Sequence, residues 1–221
     1  MCCSAPCRTA IQYEVVSKDL FMASLNSELA LDPHEIARRP LDPEQCVLIV
    51  VDIQEKLLPA IANKELLVKN AQLLIRLAGM INLPILATTQ YARGLGGTVP
   101  EIASLLPDAT AIDKTEFGCF NNAGFCSAVK TLPGNRTTAL ICGMETHICV
   151  MQTALGAMNQ GYLVHVASDA VGSRSEWNYH IGLNRMQDAG AVISSTEMMM
   201  YELLRSSSSP TFKELLPYLK G

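Results

Sequence analysis

Charged residues, aromatic rings and long apolar runs are all scarce in this chain of 221 residues: 17% is charged and 5% aromatic. No uninterrupted apolar run approaches the roughly 20 residues of a membrane-spanning helix, so no membrane partner is expected. Lys and Arg number 17 against 21 Asp and Glu, a formal net charge of −4. No basic stripe interrupts that balance, and without one nucleic acid is not an expected partner. There is no C-x2-C pair, and neither His147-x-Cys149 nor Cys119…Cys126 has the spacing of a structural zinc site. No metal is expected. The loop 90–98 has three glycines but lacks the Lys-Ser/Thr of a P-loop. It also does not fit G-x-G-x-x-G opening a helix, so no nucleotide cofactor is expected. An apolar leader is missing too. The 8 cysteines sit in apolar or helical settings without framework spacing, which suits a reducing, cytoplasmic environment.

What is abundant is apolar residues, at 49%, and they come in short blocks. The most informative block is Thr138–Cys142, a continuous apolar run that suits a strand buried on both faces. Gly143 is expected to end it in a sharp turn. Thr146 is a plausible N-cap, and Ile148, Val150, Met151, Ala154, Leu155 and Met158 follow at helical spacing. Cys149 then lies in the first turn of a helix, where unpaired N–H groups and the helix dipole favour a thiolate. The alternative is a small, inert core cysteine.

Cys46–Val51, Ile85–Thr89, Ala109–Asp113, Tyr162–Ala167 and Ala191–Ser195 read as further strands. Helical patterns fall at 66–81, 100–105, 122–132, 146–160, 175–188, from 196 onward and at 212–219. The alternation predicts an α/β protein: a six-stranded, mostly parallel sheet in a three-layer α/β/α, Rossmann-like arrangement. The expected organisation is an N-terminal extension over 1–43, a main domain over 44–205 and a tail with a short helix over 206–221. Within the extension, 1–10 is expected to be disordered and 11–31 partly helical.

Asp52, Lys114 and Cys149 each end or directly follow a different strand, and in such a sheet those ends share one rim. Together they make a chemical set. Cys149 attacks an electrophilic carbon, Asp52 takes and returns the proton, and Lys114 holds the aspartate and supports the ionised thiol. Backbone N–H groups of the Met144–Cys149 turn, at Glu145 and Cys149, would meet tetrahedral oxygen charge. Gln54, Leu57, Gln90, Tyr91, Phe117, Phe120 and His147 are candidate pocket walls for a small-molecule substrate.

Three segments resemble the isochorismatase-like cysteine hydrolases over about residues 44–205. They are Val-Val-Asp52-Ile-Gln, Lys114-Thr-Glu-Phe and Gly143-Met-Glu-Thr-His-Ile-Cys149-Val. Ser168-Asp169-Ala170 with Ser173-Arg174 is similar as well. The resemblance implies a Cys-Asp-Lys triad and a non-proline cis peptide before Glu145. It also implies homo-oligomers, which are common among relatives. The segment Thr88-Thr-Gln-Tyr-Ala-Arg93 has no histidine where the family's nicotinamidases bind a metal. The chain is therefore closer to the metal-free group of YcaC-like bacterial hydrolases and eukaryotic isochorismatase-domain proteins. The expected activity is hydrolysis of a small amide or related C–N substrate through a covalent Cys149 intermediate. Two other classes compete: a catalytically silent binding or scaffold protein of the same fold, and a redox or acyl-transfer role for the thiol.

Overall fold

The structure, a computed structural model, describes residues 38–106 and 111–219. The expected disorder over 1–10 and helical pattern over 11–31 lie outside the described residues. The chain divides into Met1–Arg38 and Arg39–Gly221, and the elements below all belong to the second unit.

Six strands form one sheet: β1 Cys46–Val51, β2 Ile85–Gln90, β3 Ile112–Lys114, β4 Thr138–Met144, β5 Leu163–Gly172 and β6 Val192–Ser194. Their order is β3-β2-β1-β4-β5-β6, and every pairing is parallel. The central strands β1 and β4 are buried at every residue, which is why they read as unbroken apolar runs. Alternate side chains serve two separate cores. Leu48, Val50, Leu140, Cys142 and Met144 point to one, and Val47, Ile49, Val51, Ala139 and Ile141 to the other.

The helices are α1 Lys64–Met80, α2 Ala92–Leu95, α3 Pro100–Ala103, α4 Ala123–Lys130, α5 Met151–Asn159, α6 Glu176–Asp188, α7 Thr196–Leu204 and α8 Pro210–Leu219. In α1, Leu67, Ala71, Leu74 and Ala78 recur at the spacing of one helical face and are buried in the first core. Met199, Met200 and Leu203 of α7 and Leu215 of α8 join them. Phe125 of α4, Ala154 and Ala157 of α5, and Leu183 and Met186 of α6 close the second core. Helices therefore cover both faces, as the alternation predicts.

The structure departs from the expected boundaries in instructive places. Gly143 does not end β4; the strand runs on to Met144. Gly143 has φ +120°, and a Cβ there would lie 2.0 Å from the Val51 carbonyl oxygen. The glycine permits close approach of two backbones rather than a turn. Strand β5 continues beyond Ala167 to Gly172, with a register shift against β4 between Ile141 and Gly143. Ser168 and Asp169 consequently lie inside a strand, and Asp169 Oδ1 accepts bonds from Thr196 N (2.7 Å) and Thr196 Oγ1 (2.9 Å), tying down the start of α7. The expected strand over 109–113 is seen as Ile112–Lys114, with 109 and 110 outside the described residues.

Candidate active site

The carboxyl rim of the sheet brings Asp52 and Lys114 together although one strand lies between theirs. Asp52 follows β1 directly with φ 50°, a left-handed conformation that few non-glycine residues adopt and that Asp tolerates better than most. Lys114 is the last residue of β3, and its long side chain crosses the end of β2. Its Nζ lies 2.7 Å from Asp52 Oδ2, and both side chains are 0% exposed. The other carboxylate oxygen accepts a bond from Thr88 Oγ1 at 2.8 Å. Lys114 Nζ also donates to Gln90 Oε1 at 3.0 Å. A charge buried this deeply persists only when paired and hydrogen-bonded, and here both members are.

Cys149 faces this pair. Its thiol lies within reach of the charges of both Asp52 and Lys114. The thiol is pushed up to about 12, chiefly by burial and then by the Asp52 charge, with Lys114 pulling the other way. This corrects the expectation of a resting thiolate. The positive charge of Lys114 is already matched by Asp52, so the net field at the sulfur is weak and desolvation decides. At rest the site is a neutral thiol beside an ion pair.

The local fold around Cys149 also differs from the expected helix start. Residues Thr146–Val150 form a π-helical turn, and α5 begins only at Met151. Thr146 is not a side-chain cap; its Oγ1 is buried without a hydrogen-bond partner among the described residues. The turn is held from outside. Glu145 O accepts from Ile148 N (3.0 Å) and Val150 N (3.2 Å). The Glu145 carboxylate accepts from Arg174 N (3.0 Å) and Nε (3.1 Å). On α6, a Cβ at Gly182 would lie 2.9 Å from His147 Cα, so the helix packs backbone to backbone against the turn. The Met144–Glu145 peptide is cis, as the resemblance implies.

The expected pocket residues divide. Gln90 touches Lys114, and His147 Nδ1 lies 3.0 Å from Ser173 Oγ. Tyr91 and Phe117 are about half exposed, at 50% and 54%, and Leu57 packs against the first core. Gln54 is wholly buried and serves the scaffold: its Nε2 donates to Gln90 O (3.1 Å) and Gly96 O (2.7 Å), while its Oε1 accepts from Gln90 N (2.7 Å). The loop 90–98 is thus strapped down. Phe120 turns into the second core, with its ring centroid 5.2 Å from Phe125 and 5.9 Å from Tyr162.

Three participants escaped sequence reasoning: Thr88, which fixes Asp52, Cys119 and Thr153. Cys119 Sγ lies 3.7 Å from Thr88 Oγ1, and its N–H donates to Thr153 Oγ1 at 3.1 Å. The available signal was the pair Thr88-Thr89 closing an otherwise apolar strand. Among the described residues no group of three or more His, Cys, Asp or Glu is placed to hold a metal ion.

A protein-family model described as the isochorismatase domain matches residues 46–198, which include Asp52, Lys114 and the Cys149 turn. The chain belongs to the isochorismatase family. Within this family of hydrolases it is 36% identical over 180 residues to mouse isochorismatase domain-containing protein 2A, covering 80% of this chain and 84% of that protein. Among solved structures, the MAR1 ribonuclease of Caenorhabditis elegans superimposes with a TM-score of 0.76 at 32% identity, over 83% of this chain and 93% of the other. The octameric hydrolase YcaC of Escherichia coli gives 0.75 at 30% identity, over 81% and 90%. YcaC of Pseudomonas aeruginosa, solved with covalent acrylamide, gives 0.76 at 27% identity, over 83% and 95%. The isochorismatase family name describes ancestry and fold; the reaction is a property of the site.

Proposed function

We infer that the protein is a metal-independent cysteine hydrolase acting on a small amide or related C–N substrate. The observation that supports this best is the fully buried Asp52–Lys114 ion pair, with the Cys149 thiol close enough to feel both charges. In this reading the thiol proton passes to Asp52 as sulfur attacks the carbonyl carbon, and oxygen charge develops towards the N–H groups of Glu145 and Cys149. Asp52 returns the proton to the departing nitrogen as the C–N bond breaks. A thioester on Cys149 remains. Water then attacks it, giving up a proton to Asp52, and the acid leaves as the thiol reforms. Lys114, 2.7 Å from its carboxylate, holds Asp52 in place beside the sulfur. The raised thiol pKa fits this scheme: proton and sulfur charge separate only when an electrophile is present.

The test uses acrylamide, a small amide that is also an electrophile. Peptide mapping after brief exposure at neutral pH is expected to find the adduct first on Cys149, ahead of Cys46, Cys126 and Cys142. A panel of small primary amides is then assayed for ammonia release. Labelling without preference for Cys149, or ammonia release that survives Cys149→Ser, would remove the reading. The ribonuclease named for the worm relative is a further outcome to score. Net charge and the fully paired Lys114 do not favour a polyanion here, and RNA cleavage lost in Cys149→Ser would replace the amide reading.

The proposal extends to assembly. Trp177 is 74% and Ile181 48% exposed, one turn apart on α6. Such a patch suits a contact between copies of the chain, and E. coli YcaC is an octamer. Light scattering should report a mass several times the 24.0 kDa of one chain.

A further inference from the structure

At the amino rim of the sheet, away from Cys149, lies a cavity of about 680 Å³. Its floor is Thr138 of β4 with Leu163 and His165 of β5. Arg39, Pro40, Leu41, Asp42, Gln45, Tyr201, Glu202 and Arg205 complete its lining. Strand β4 has 7 residues, and at about 3.3 Å per residue the two rims are separated by roughly 20 Å. The cavity is within the size range of small-molecule sites, roughly 300–1,000 Å³.

Two features show that this is more than a surface dent. His165 is 4% exposed, yet its ring has no hydrogen-bond partner among the described residues. Buried polar side chains are nearly always satisfied, and an orphan facing a cavity marks a place for a ligand group. The charges are the second feature. Arg205 Nη2 is paired with Asp42 Oδ1 at 3.1 Å. Arg39 and Glu202 also line the cavity, but neither forms an ion pair among the described residues; Glu202 only accepts a bond from the neutral Leu41 N–H at 3.0 Å. Among the described residues one cation and one anion of the lining are thus left unmatched. Pro40, Leu41, Leu163 and Tyr201 add apolar surface to it.

We propose that this cavity binds a small zwitterion with an apolar body, that is, a free amino acid of the leucine or phenylalanine kind. Its carboxylate would meet the Arg39 guanidinium, its ammonium the Glu202 carboxylate, and the buried imidazole would hydrogen-bond one of the two head groups. The site is separate from the reaction at Cys149 and does not depend on it.

Calorimetric titration of the full chain with L-phenylalanine tests this. One site per chain is expected. Phenylpropionate, which keeps only the carboxylate, and phenethylamine, which keeps only the ammonium, should each bind at least about tenfold more weakly. Arg39→Gln and Glu202→Gln should each weaken phenylalanine binding by about tenfold or more, and both positions are exposed or partly so, so the fold should survive. Cys149→Ser should leave the affinity unchanged. Absence of binding overturns the proposal, as do half-ligands that match phenylalanine, variants that bind like the parent, or loss of binding in Cys149→Ser.

Discussion

Asp52 and Lys114 are each withdrawn from solvent completely, which makes each the condition of the other's charge. Removing the ammonium with Lys114→Met leaves a buried, unmatched carboxylate. That variant should lose about 3–5 kcal/mol in urea unfolding, the usual cost of breaking a buried pair. The double variant Asp52→Asn/Lys114→Met should recover most of that loss, because two neutral groups no longer need one another. A second prediction concerns the sulfur. After burial, the Asp52 charge raises the Cys149 pKa, while Lys114 lowers it. Asp52→Asn should therefore bring the thiol down from about 12, visible as thiolate absorbance appearing at lower pH. The same variant should hydrolyse nothing, since the leaving nitrogen loses its proton donor. More thiolate with less turnover would separate proton transfer from simple thiol activation.

Among the elements, the strap over 90–98 and the π-helical turn over 146–150 hold the rim in shape. The strap hangs on one buried amide, with Gln54 making three bonds to Gln90 and Gly96. Tyr91, at its start, has φ 43°, a conformation that persists only where neighbours enforce it. Gln54→Ala should cost about 2–3 kcal/mol, mostly from backbone groups left unsatisfied. Hydrogen exchange should accelerate within 90–98 and little elsewhere. Unchanged exchange there would mean that Glu55 and Lys56, which also bond to the strap at Gly97, Leu95 and Gly94, suffice alone. The turn bearing Cys149 relies instead on packing: the bare Gly182 of α6 on one side and the Arg174–Glu145 pair on the other.

For the molecule as a whole, titration of the buried His165 sets an acid limit. Burial drives its pKa down from 6.5 to about 4. The unfolded chain therefore binds a proton that the folded chain refuses between those values. Folding stability is full above about pH 6.5 and falls progressively as pH drops towards about 4, by about 3 kcal/mol in total. Denaturant midpoints measured across that range should show the slope, and His165→Gln should flatten it. No helix among the described residues is long and apolar enough to cross a membrane.

Much of this could be read from residue order alone. Unbroken apolar blocks alternating with helical periodicity dictate a parallel sheet covered on both faces, because only that arrangement buries both sides of every central strand. Polar residues placed just after those blocks had to gather on one rim, which is why Asp52, Lys114 and Cys149 were legible. Tertiary structure alone decided the rest. Whether Gly143 turned the chain or let β1 and β4 touch depended on a backbone 92 positions earlier, at Val51. Likewise Gln54 became a strap and Phe120 a core ring because of partners distant in the chain. The protonation of Cys149 belongs with them: sequence places a sulfur near a charge, but only packing sets how much water it loses and how far one neighbouring charge cancels the other.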